Sequence, residues 1–411
     1  MTPVRVVVLD HTAQTGGAEL ALLRTCAALD PARVDLTVLL FADGPLVGLL
    51  TAAGVRVRVL PLDPRVATSD RHAAGRVAAL RSVARTLPFV WRLRRELRGA
   101  QVVHTTSLKA DLIGLLAGRL AGRPVVWHVH DRIAADYLPA PVVRLLRLLA
   151  RRAVTEVVVN SRATADTLLP LRRWTLAHPG LAPEQIGPDP GDRVPPEPPV
   201  VGIAGRISPT KGQLEFLAAA RLLAVRYPRL RFRVIGAALF AEQEYADRVR
   251  AAAQDPVLAG RVEFTGWVAD PGAELDRLSV MVHASPVPEP FGQVVAEAMA
   301  RGVPVVATAG GGVDEIVHPD GAEPRGELVG AGDVAGLAAA VGRVLDDPRA
   351  AGERARRAWA EVRRDYPVSA TAAALTAVWE RSARGRGPRA SAAPGPTSSV
   401  PRRAAAAPAA R

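Results

Sequence analysis

The sequence predicts an α/β protein made of two Rossmann-like domains that face each other across a cleft. Apolar strand-like runs alternate with helical segments through most of the 411 residues, a pattern typical of parallel sheets covered by helices. A proline-rich stretch, 183–199, divides this pattern into two halves of similar size. Such a stretch is unsuited to a helix or a central strand and indicates a linker. Ligands of open α/β sheets bind outside the carboxyl ends of the strands, so we expect the site in the cleft.

Each half contains five or six buried runs that predict strands, with helical periodicity between them. In the first half these runs are 4–9, 34–40, 55–60, 102–104, 125–129 and 157–159, with helices over 18–28 and 108–120. In the second half they are 200–204, 231–235, 262–264, 280–284 and 303–307, with a helix over 213–227.

The charge is distributed unevenly along the chain. Lys and Arg number 53 against 40 Asp and Glu, a formal net charge of +13. Residues 1–195 carry 26 basic and 16 acidic side chains, residues 196–381 carry 21 and 24, and residues 382–411 carry six and none. A basic excess suggests nucleic acid or an anionic surface. Because aromatic residues are only 4% of the chain, base stacking on aromatic side chains has little support.

Several protein classes are disfavoured by composition. The single cysteine, Cys26, excludes a disulfide within the chain and suggests a reducing compartment. We recognise no signal peptide and no apolar run long enough to predict a transmembrane helix. We therefore expect a cytoplasmic protein. The Ala/Pro/Arg-rich segment 384–411 lacks apolar periodicity and predicts a disordered tail.

Two cations lie on one predicted strand-to-helix loop. Arg206 and Lys211 follow the strand 200–204 and Gly205, and precede the helix 213–227. Free N–H groups, a positive helix dipole and two side-chain charges together favour an anion. The spacing is not that of a Walker loop, and a merely basic surface loop is the alternative. Lys211 is one of only two lysines in the chain, which favours a specific role.

A second motif places two glutamates eight residues apart. Glu289 precedes a helical segment, and Glu297 is predicted to lie about two turns inside it, with Phe291 and Gly292 between them. At 100° per residue, this spacing lets both carboxyl groups face the same cleft. A ribose diol or a sugar hydroxyl would be a suitable partner for such a buried acid. Two ordinary helix-surface acids are the alternative.

Glycine turns and a histidine complete the set of motifs. Gly311 and Gly312 follow the strand 303–307, and Gly16 and Gly17 follow the first strand. These turns let the backbone approach a ligand, but neither is the dinucleotide fingerprint. His130 directly follows the run 125–129 and precedes Asp131. His128, two residues earlier, is predicted to point to the same face of the sheet. A catalytic imidazole, a metal pair and a structural histidine all remain open, although no third metal ligand is evident nearby.

Taken together and in order, these motifs resemble the glycosyltransferases of family four, the retaining nucleotide-sugar enzymes with the GT-B fold. The resemblance covers residues 4 to about 380. It implies an acceptor-binding domain over 1–185, a linker over 186–199 and a donor-binding domain over 200–366. It also implies a helix over 367–383 that crosses back to the first domain.

The resemblance also implies roles for individual residues. Arg206 and Lys211 would stabilise the departing nucleotide diphosphate, Glu289 would hold the donor sugar, and His130 would touch the transferred sugar. Glu297 would bind the ribose, and Trp267 would neighbour the base. The implied donor-binding residues are Gly16, Gly17, Gly205, Trp267, Phe291, Gly292, Glu297, Gly311 and Gly312.

No metal or other cofactor is expected, since the cations and helix dipoles replace it and no Asp-x-Asp triplet occurs. The expected partners are a nucleotide-sugar donor and an acceptor hydroxyl on a glycan, lipid-linked group or small molecule. Arg-rich apolar segments over 71–98 and 144–152 suggest peripheral contact with anionic membrane, with solvated helix faces as the alternative. A sugar-nucleotide epimerase, a phosphorylase and a non-catalytic basic binding protein are the competing functions.

Overall fold

The computed structural model describes residues 2–63, 76–239, 242–268 and 270–385, with the backbone alone at 76–85 and 192. It contains two sheets in which every strand pairs parallel to its neighbour. Helices connect the strands of both sheets, as expected for buried apolar runs that alternate with longer periodic segments. The chain therefore has the predicted α/β class with two Rossmann-like domains.

The first sheet has the strand order β3-β2-β1-β4-β5-β6-β7. Its strands are β1 (Val4–Asp10), β2 (Val34–Leu40), β3 (Arg56–Val59), β4 (Val102–Thr105), β5 (Val125–Val129), β6 (Glu156–Val159) and β7 (Trp174–Leu176). Its helices are α1 (Gly17–Ala27), α2 (Pro45–Ala52), α3 (Arg76–Glu96), α4 (Leu108–Leu120), α5 (Ala140–Arg152) and α6 (Arg162–Asp166).

The second sheet has the order β10-β9-β8-β11-β12-β13. Its strands are β8 (Val200–Ala204), β9 (Arg231–Ile235), β10 (Val262–Gly266), β11 (Val280–His283), β12 (Val305–Thr308) and β13 (Glu327–Val329). The accompanying helices are α7 (Gln213–Arg226), α8 (Gln243–Ala252), α9 (Pro271–Asp276), α10 (Gln293–Met299), α11 (Gly312–Val317), α12 (Val334–Asp346) and α13 (Pro348–Asp365).

The last helix, α14 (Val368–Arg384), returns to the first domain, as predicted. It packs against α1, β1, β4 and β7. Leu375, Val378 and Trp379 are buried in the same apolar cluster as Val6 and Val8 of β1. The core of the first domain is therefore completed by residues that follow the second domain in the chain.

Helix α3 continues through Pro88, a residue of the basic segment 71–98 that would interrupt an isolated helix. Phe89, Val90 and Leu93 are buried directly after the proline. Their burial holds the backbone helical where an isolated helix would break. Residues 71–75 of that segment, like most of the predicted tail, lie outside the described residues.

Within the part of the chain that the structure describes, no helix is both long enough and apolar enough to cross a membrane.

Candidate active site

The two predicted cations lie on the loop between β8 and α7, at the carboxyl edge of the second sheet. Lys211 Nζ donates a hydrogen bond to Glu289 Oε1 at 2.6 Å. Arg206 Nε lies 3.4 Å from Glu242 Oε2. Gly212 shapes this loop: its φ is +76°, and a Cβ there would lie 1.8 Å from the carbonyl oxygen of Ala284. The backbone can make this close approach only without a side chain.

Glu289 is held by a cation and a histidine. Its Oε2 lies 3.5 Å from His283 Nε2 at the end of β11. Burial opposes ionisation of the carboxyl, but Lys211 and His283 hold its pKa well below the usual range. Glu289 is therefore a carboxylate at neutral pH, fixed beside an ammonium group.

The predicted glycine turn packs directly on the backbone of Glu289. Gly312 N donates to the carbonyl oxygen of Glu289 at 2.9 Å, and Glu289 N donates to the carbonyl oxygen of Gly310 at 3.3 Å. A Cβ on Gly311, where φ is +78°, would come within 2.0 Å of the Glu289 oxygen. The turn thus positions Glu289 through its main chain and leaves the carboxylate free to face Lys211.

Glu297 occupies a different part of the site. It is the fifth residue of α10, which begins only at Gln293. The sequence predicted Glu297 about two turns inside this helix, and it lies little more than one turn inside, because the residues preceding Gln293 form a turn around Gly292 (φ +99°). Glu297 Oε1 accepts from Gln185 Nε2 at 2.7 Å and lies 3.6 Å from an Arg24 nitrogen. Burial raises the pKa of Glu297 despite these two partners.

The first domain contributes Gly16, Gly17 and Arg24 to this region. Gly17 begins α1, and its carbonyl oxygen accepts from the side-chain nitrogen of Gln293 at 3.0 Å when that amide is oriented to satisfy both its ends. In the same orientation the amide oxygen of Gln293 accepts from Arg24. The amino ends of α1 and α10 therefore meet across the cleft.

His130 lies at the carboxyl edge of the first sheet, directly after β5. Its ring centroid is 4.0 Å from that of His128, which in turn contacts His104 at 5.3 Å. Burial lowers the pKa of His130, although Asp131 and Asp10 oppose this shift. The imidazole is therefore neutral near pH 7 and can serve as a hydrogen-bonding group.

Three donor-binding candidates differ in their surroundings. Phe291 is buried, and its ring packs on His178 and Tyr366 at centroid distances of 5.4 and 5.6 Å. Gly205 has a φ of +137° at the end of β8. Trp267 follows β10 and is 60% exposed. Phe291 thus has a packing role, whereas Trp267 leaves most of its indole open to solvent.

The sequence reasoning did not single out five residues that belong to this region. Glu242 and His283 face the predicted catalytic side chains, and Arg24 reaches Glu297 from the other domain. The carboxylate of Glu315 accepts from the backbone N–H groups of Arg162 and Ala163 at 3.1 and 2.8 Å, across the domain boundary. Of these four residues, Glu315 alone had a signal in the sequence, because it follows the glycine turn by three residues.

Glu19 is the fifth such residue, and it is a buried acid. Its side chain lies over Gly16, where a Cβ would be 2.4 Å from Oε2. Burial and the neighbouring Asp10 raise its pKa to about 7. The missing side chain of Gly16 therefore leaves space for the carboxyl group of Glu19, in addition to letting the backbone approach a ligand.

Among the described residues, no group of three or more His, Cys, Asp or Glu side chains is arranged to hold a metal ion.

Comparison with known proteins adds the family. The model for "Glycosyl transferases group 1" matches residues 190–364, and that for "Glycosyl transferase 4-like domain" matches residues 16–175. A 2-deoxystreptamine glucosyltransferase of Streptomyces kanamyceticus is 30% identical over 331 residues, covering 74% of this chain and 83% of that protein. A 2-deoxystreptamine N-acetyl-D-glucosaminyltransferase of Streptomyces fradiae is 31% identical, covering 72% and 74%. The crystal structure of Anabaena Alr3699/HepE with UDP and glucose superposes with a TM-score of 0.78 at 26% identity, covering 92% of this chain and 99% of that one.

Proposed function

This chain belongs to the glycosyl transferases group 1 family and has its GT-B fold, and from that premise we propose that it transfers a hexose to an acceptor hydroxyl with retention and without a metal. Glycosyl transfer from a nucleotide sugar follows from the family and from the structural neighbours with UDP and UDP-glucose. The contact between Lys211 and Glu289, 2.6 Å apart at the carboxyl edge of the second sheet, supports the proposed mechanism.

Lys211 and Arg206 would supply the positive charge that a departing diphosphate requires. Lys211 uses one N–H bond on Glu289, which leaves two for phosphate oxygens. Arg206 adds a guanidinium on the same loop. Fixed charges in a cleft stabilise developing negative charge without reorganising during the reaction. They perform the task that a divalent cation performs elsewhere, which is the basis for proposing metal independence.

The proposed reaction proceeds on one face of the sugar. The bond from the anomeric carbon to the diphosphate breaks, and its electron pair stays on the diphosphate oxygen. The acceptor oxygen bonds to the same face of that carbon, and its proton passes to the departing phosphate. Glu289 would hold the sugar hydroxyls, Glu297 the ribose, and His130 the transferred sugar from the opposite domain.

The donor and the mechanism can be tested together. UDP and UDP-glucose should raise the melting temperature, because a ligand that binds only the native state stabilises it. With UDP-glucose and 2-deoxystreptamine, the acceptor that two relatives' names contain, the product should show an α-anomeric proton by NMR, and EDTA should leave the rate unchanged. A β-product would overturn retention, and loss of activity in EDTA would overturn metal independence.

Removing the Lys211 ammonium should slow transfer strongly. We expect Lys211→Ala to lose about 10²–10³ in kcat, or roughly 3–4 kcal/mol, by analogy with a lost oxyanion donor. Lys211→Arg should retain part of the rate. Arg229→Ala is the control, because Arg229 is 76% exposed and pairs only on the surface with Glu197. A Lys211→Ala enzyme at full speed would remove Lys211 from the mechanism.

We also propose peripheral contact with anionic membrane through α5. Val142, Leu145 and Leu148 are exposed on this helix, and Arg144 and Arg151 are exposed beside them. Apolar residues flanked by arginine suit an interfacial helix. The chain should float with phosphatidylglycerol vesicles at low salt, and Leu145→Glu should weaken flotation. Equal behaviour with phosphatidylcholine vesicles would contradict this proposal.

A further inference from the structure

The first sheet has a crevice whose lining residues beside β1 and β4 have no role assigned to them so far. Its strand order reverses between β1 and β4, and open parallel sheets bind ligands outside the carboxyl ends at such a reversal. In the second sheet the reversal lies between β8 and β11, which are followed by Arg206 and, further along, Glu289. In the first sheet, His11 directly follows β1, and Ser107 lies two residues after the end of β4.

A closed set of hydrogen bonds joins these two residues to Asp10. Ser107 Oγ donates to Asp10 Oδ1 at 3.2 Å and lies 2.7 Å from His11 Nδ1. The backbone N–H of His11 also donates to Ser107 Oγ, at 3.4 Å. Asp10 is 1% exposed, and its Oδ2 accepts from Thr106 Oγ1 at 2.7 Å. Asp10 and Ser107 are therefore fixed, and they fix the imidazole ring.

This arrangement determines which nitrogen of His11 carries the proton. Asp10 Oδ1 can only accept, and it lies 3.2 Å from Ser107 Oγ and 3.3 Å from His11 Nδ1. A lone pair on Nδ1 would be repelled by this carboxylate, so the hydroxyl of Ser107 donates to Asp10 and accepts from Nδ1. In the neutral imidazole Nδ1 is therefore the protonated nitrogen, and Nε2 carries the lone pair. The side chain is 29% exposed, and no residue in the described part of the chain is in hydrogen-bond contact with Nε2.

We propose that His11 is an acceptor-binding residue whose Nε2 accepts a hydrogen bond from a hydroxyl group of the sugar acceptor. This inference rests on the proposed function and specifies the acceptor at this point. The carboxylate of Asp10 lies 3.3 Å from His11 Nδ1. A phosphate oxygen at Nε2 would meet a lone pair and lie near this buried negative charge. The crevice therefore favours an unphosphorylated, hydroxyl-bearing part of the acceptor.

The tautomer can be measured without any substrate. In the full chain labelled with ¹⁵N-histidine, long-range ¹H–¹⁵N spectra should show His11 protonated at Nδ1, with the signal assigned by its loss in His11→Gln. Addition of D-glucose or myo-inositol, in the presence of UDP or without it, should shift the Nε2 resonance. Phosphate ion should not.

Affinity then separates acceptor binding from a structural role. We expect His11→Phe to weaken D-glucose binding roughly tenfold, the factor for one lost hydrogen bond, and UDP binding by less than about twofold. His11→Gln, whose amide oxygen can take the place of Nε2, should recover most of the D-glucose affinity. Equal losses for D-glucose and UDP would contradict the proposal.

Two further results would overturn it: a proton on Nε2, or an Nε2 resonance that neither polyol moves. Both are independent of catalysis. Failure of the chain to bind UDP or UDP-glucose would instead contradict the proposed function, and the tautomer and polyol shifts would still decide the role of His11.

Discussion

At the scale of single residues, Glu19 links burial to a measurable pH dependence. Its pKa of about 7 in the folded chain compares with about 4.3 for an exposed glutamate. Between these two values the folded chain binds a proton that the unfolded chain has released, so stability falls as pH rises. The difference corresponds to about 4 kcal/mol of unfolding free energy, fully lost above pH 7.

We therefore expect Glu19→Gln to be more stable than the parent chain at pH 8, by up to about 4 kcal/mol, and about equal to it at pH 4. Urea denaturation at the two pH values measures both. Glu353→Gln is the matched control, because Glu353 is 66% exposed and, among the residues that the structure describes, pairs with Arg349 alone, on its own helix. Parallel pH profiles for the parent and Glu19→Gln would show that the carboxyl is not buried.

Residues whose partners are close in sequence, or whose type is rare, were the ones that sequence could identify. Lys211 was conspicuous because lysine is scarce, and the structure places it on Glu289. Arg24 was hidden among many arginines, and its partner Glu297 lies on the other domain. Nothing in the local pattern around Glu242 indicates that it faces Arg206, since that pairing exists only once β8 and β9 lie side by side.

At the scale of elements, long buried runs predicted strands well and short mixed ones did not. The strand β8 begins and ends where its run of apolar residues does. The edge strands β7 and β13 have three residues each, none of them buried. Such a segment carries no periodic signal, and only pairing with a neighbour makes it a strand. The sequence therefore predicted the central strands of both sheets and missed one edge strand of each, β7 and β13.

Helix α6 shows how one element depends on the other domain. It has only five residues, too few for an isolated helix in water. Ser161 caps it within the first domain, and Glu315 from α11 accepts from the N–H groups of Arg162 and Ala163. These hydrogen bonds at the start of α6 therefore also join the two domains.

Loss of this contact should destabilise the chain by about 0.5–2 kcal/mol, the usual cost of an N-cap. We expect Glu315→Ala to lower the melting temperature and to increase hydrogen exchange at residues 162–166. Glu323→Ala is the control, because its carboxylate is 73% exposed and pairs with Arg357 within the second domain. Unchanged exchange in Glu315→Ala would mean that α6 is held by Ser161 alone.

At the scale of the whole molecule, the described chain crosses between its domains twice, and the second crossing completes the core of the first domain. Helix α14 supplies Trp379, 1% exposed, to the core of the first domain. The indole N–H donates to His104 Nδ1 at 3.2 Å, and burial lowers the pKa of His104 to about 3. The imidazole thus remains a neutral acceptor. Residues 1–185 alone would lack this part of their core, so we expect the two domains to fold as one unit.

Trp379→Ala tests this dependence. Truncating a buried tryptophan costs about 3–5 kcal/mol, a large share of the roughly 5–15 kcal/mol that stabilises a typical domain. The variant should melt at a markedly lower temperature and should still be stabilised by UDP, whose proposed site lies mainly on the second domain. Trp91→Ala is the matched control, since Trp91 is 51% exposed, and it should change stability by less than about 1 kcal/mol. Equal melting temperatures for Trp379→Ala and Trp91→Ala would show that the core of the first domain is complete without α14.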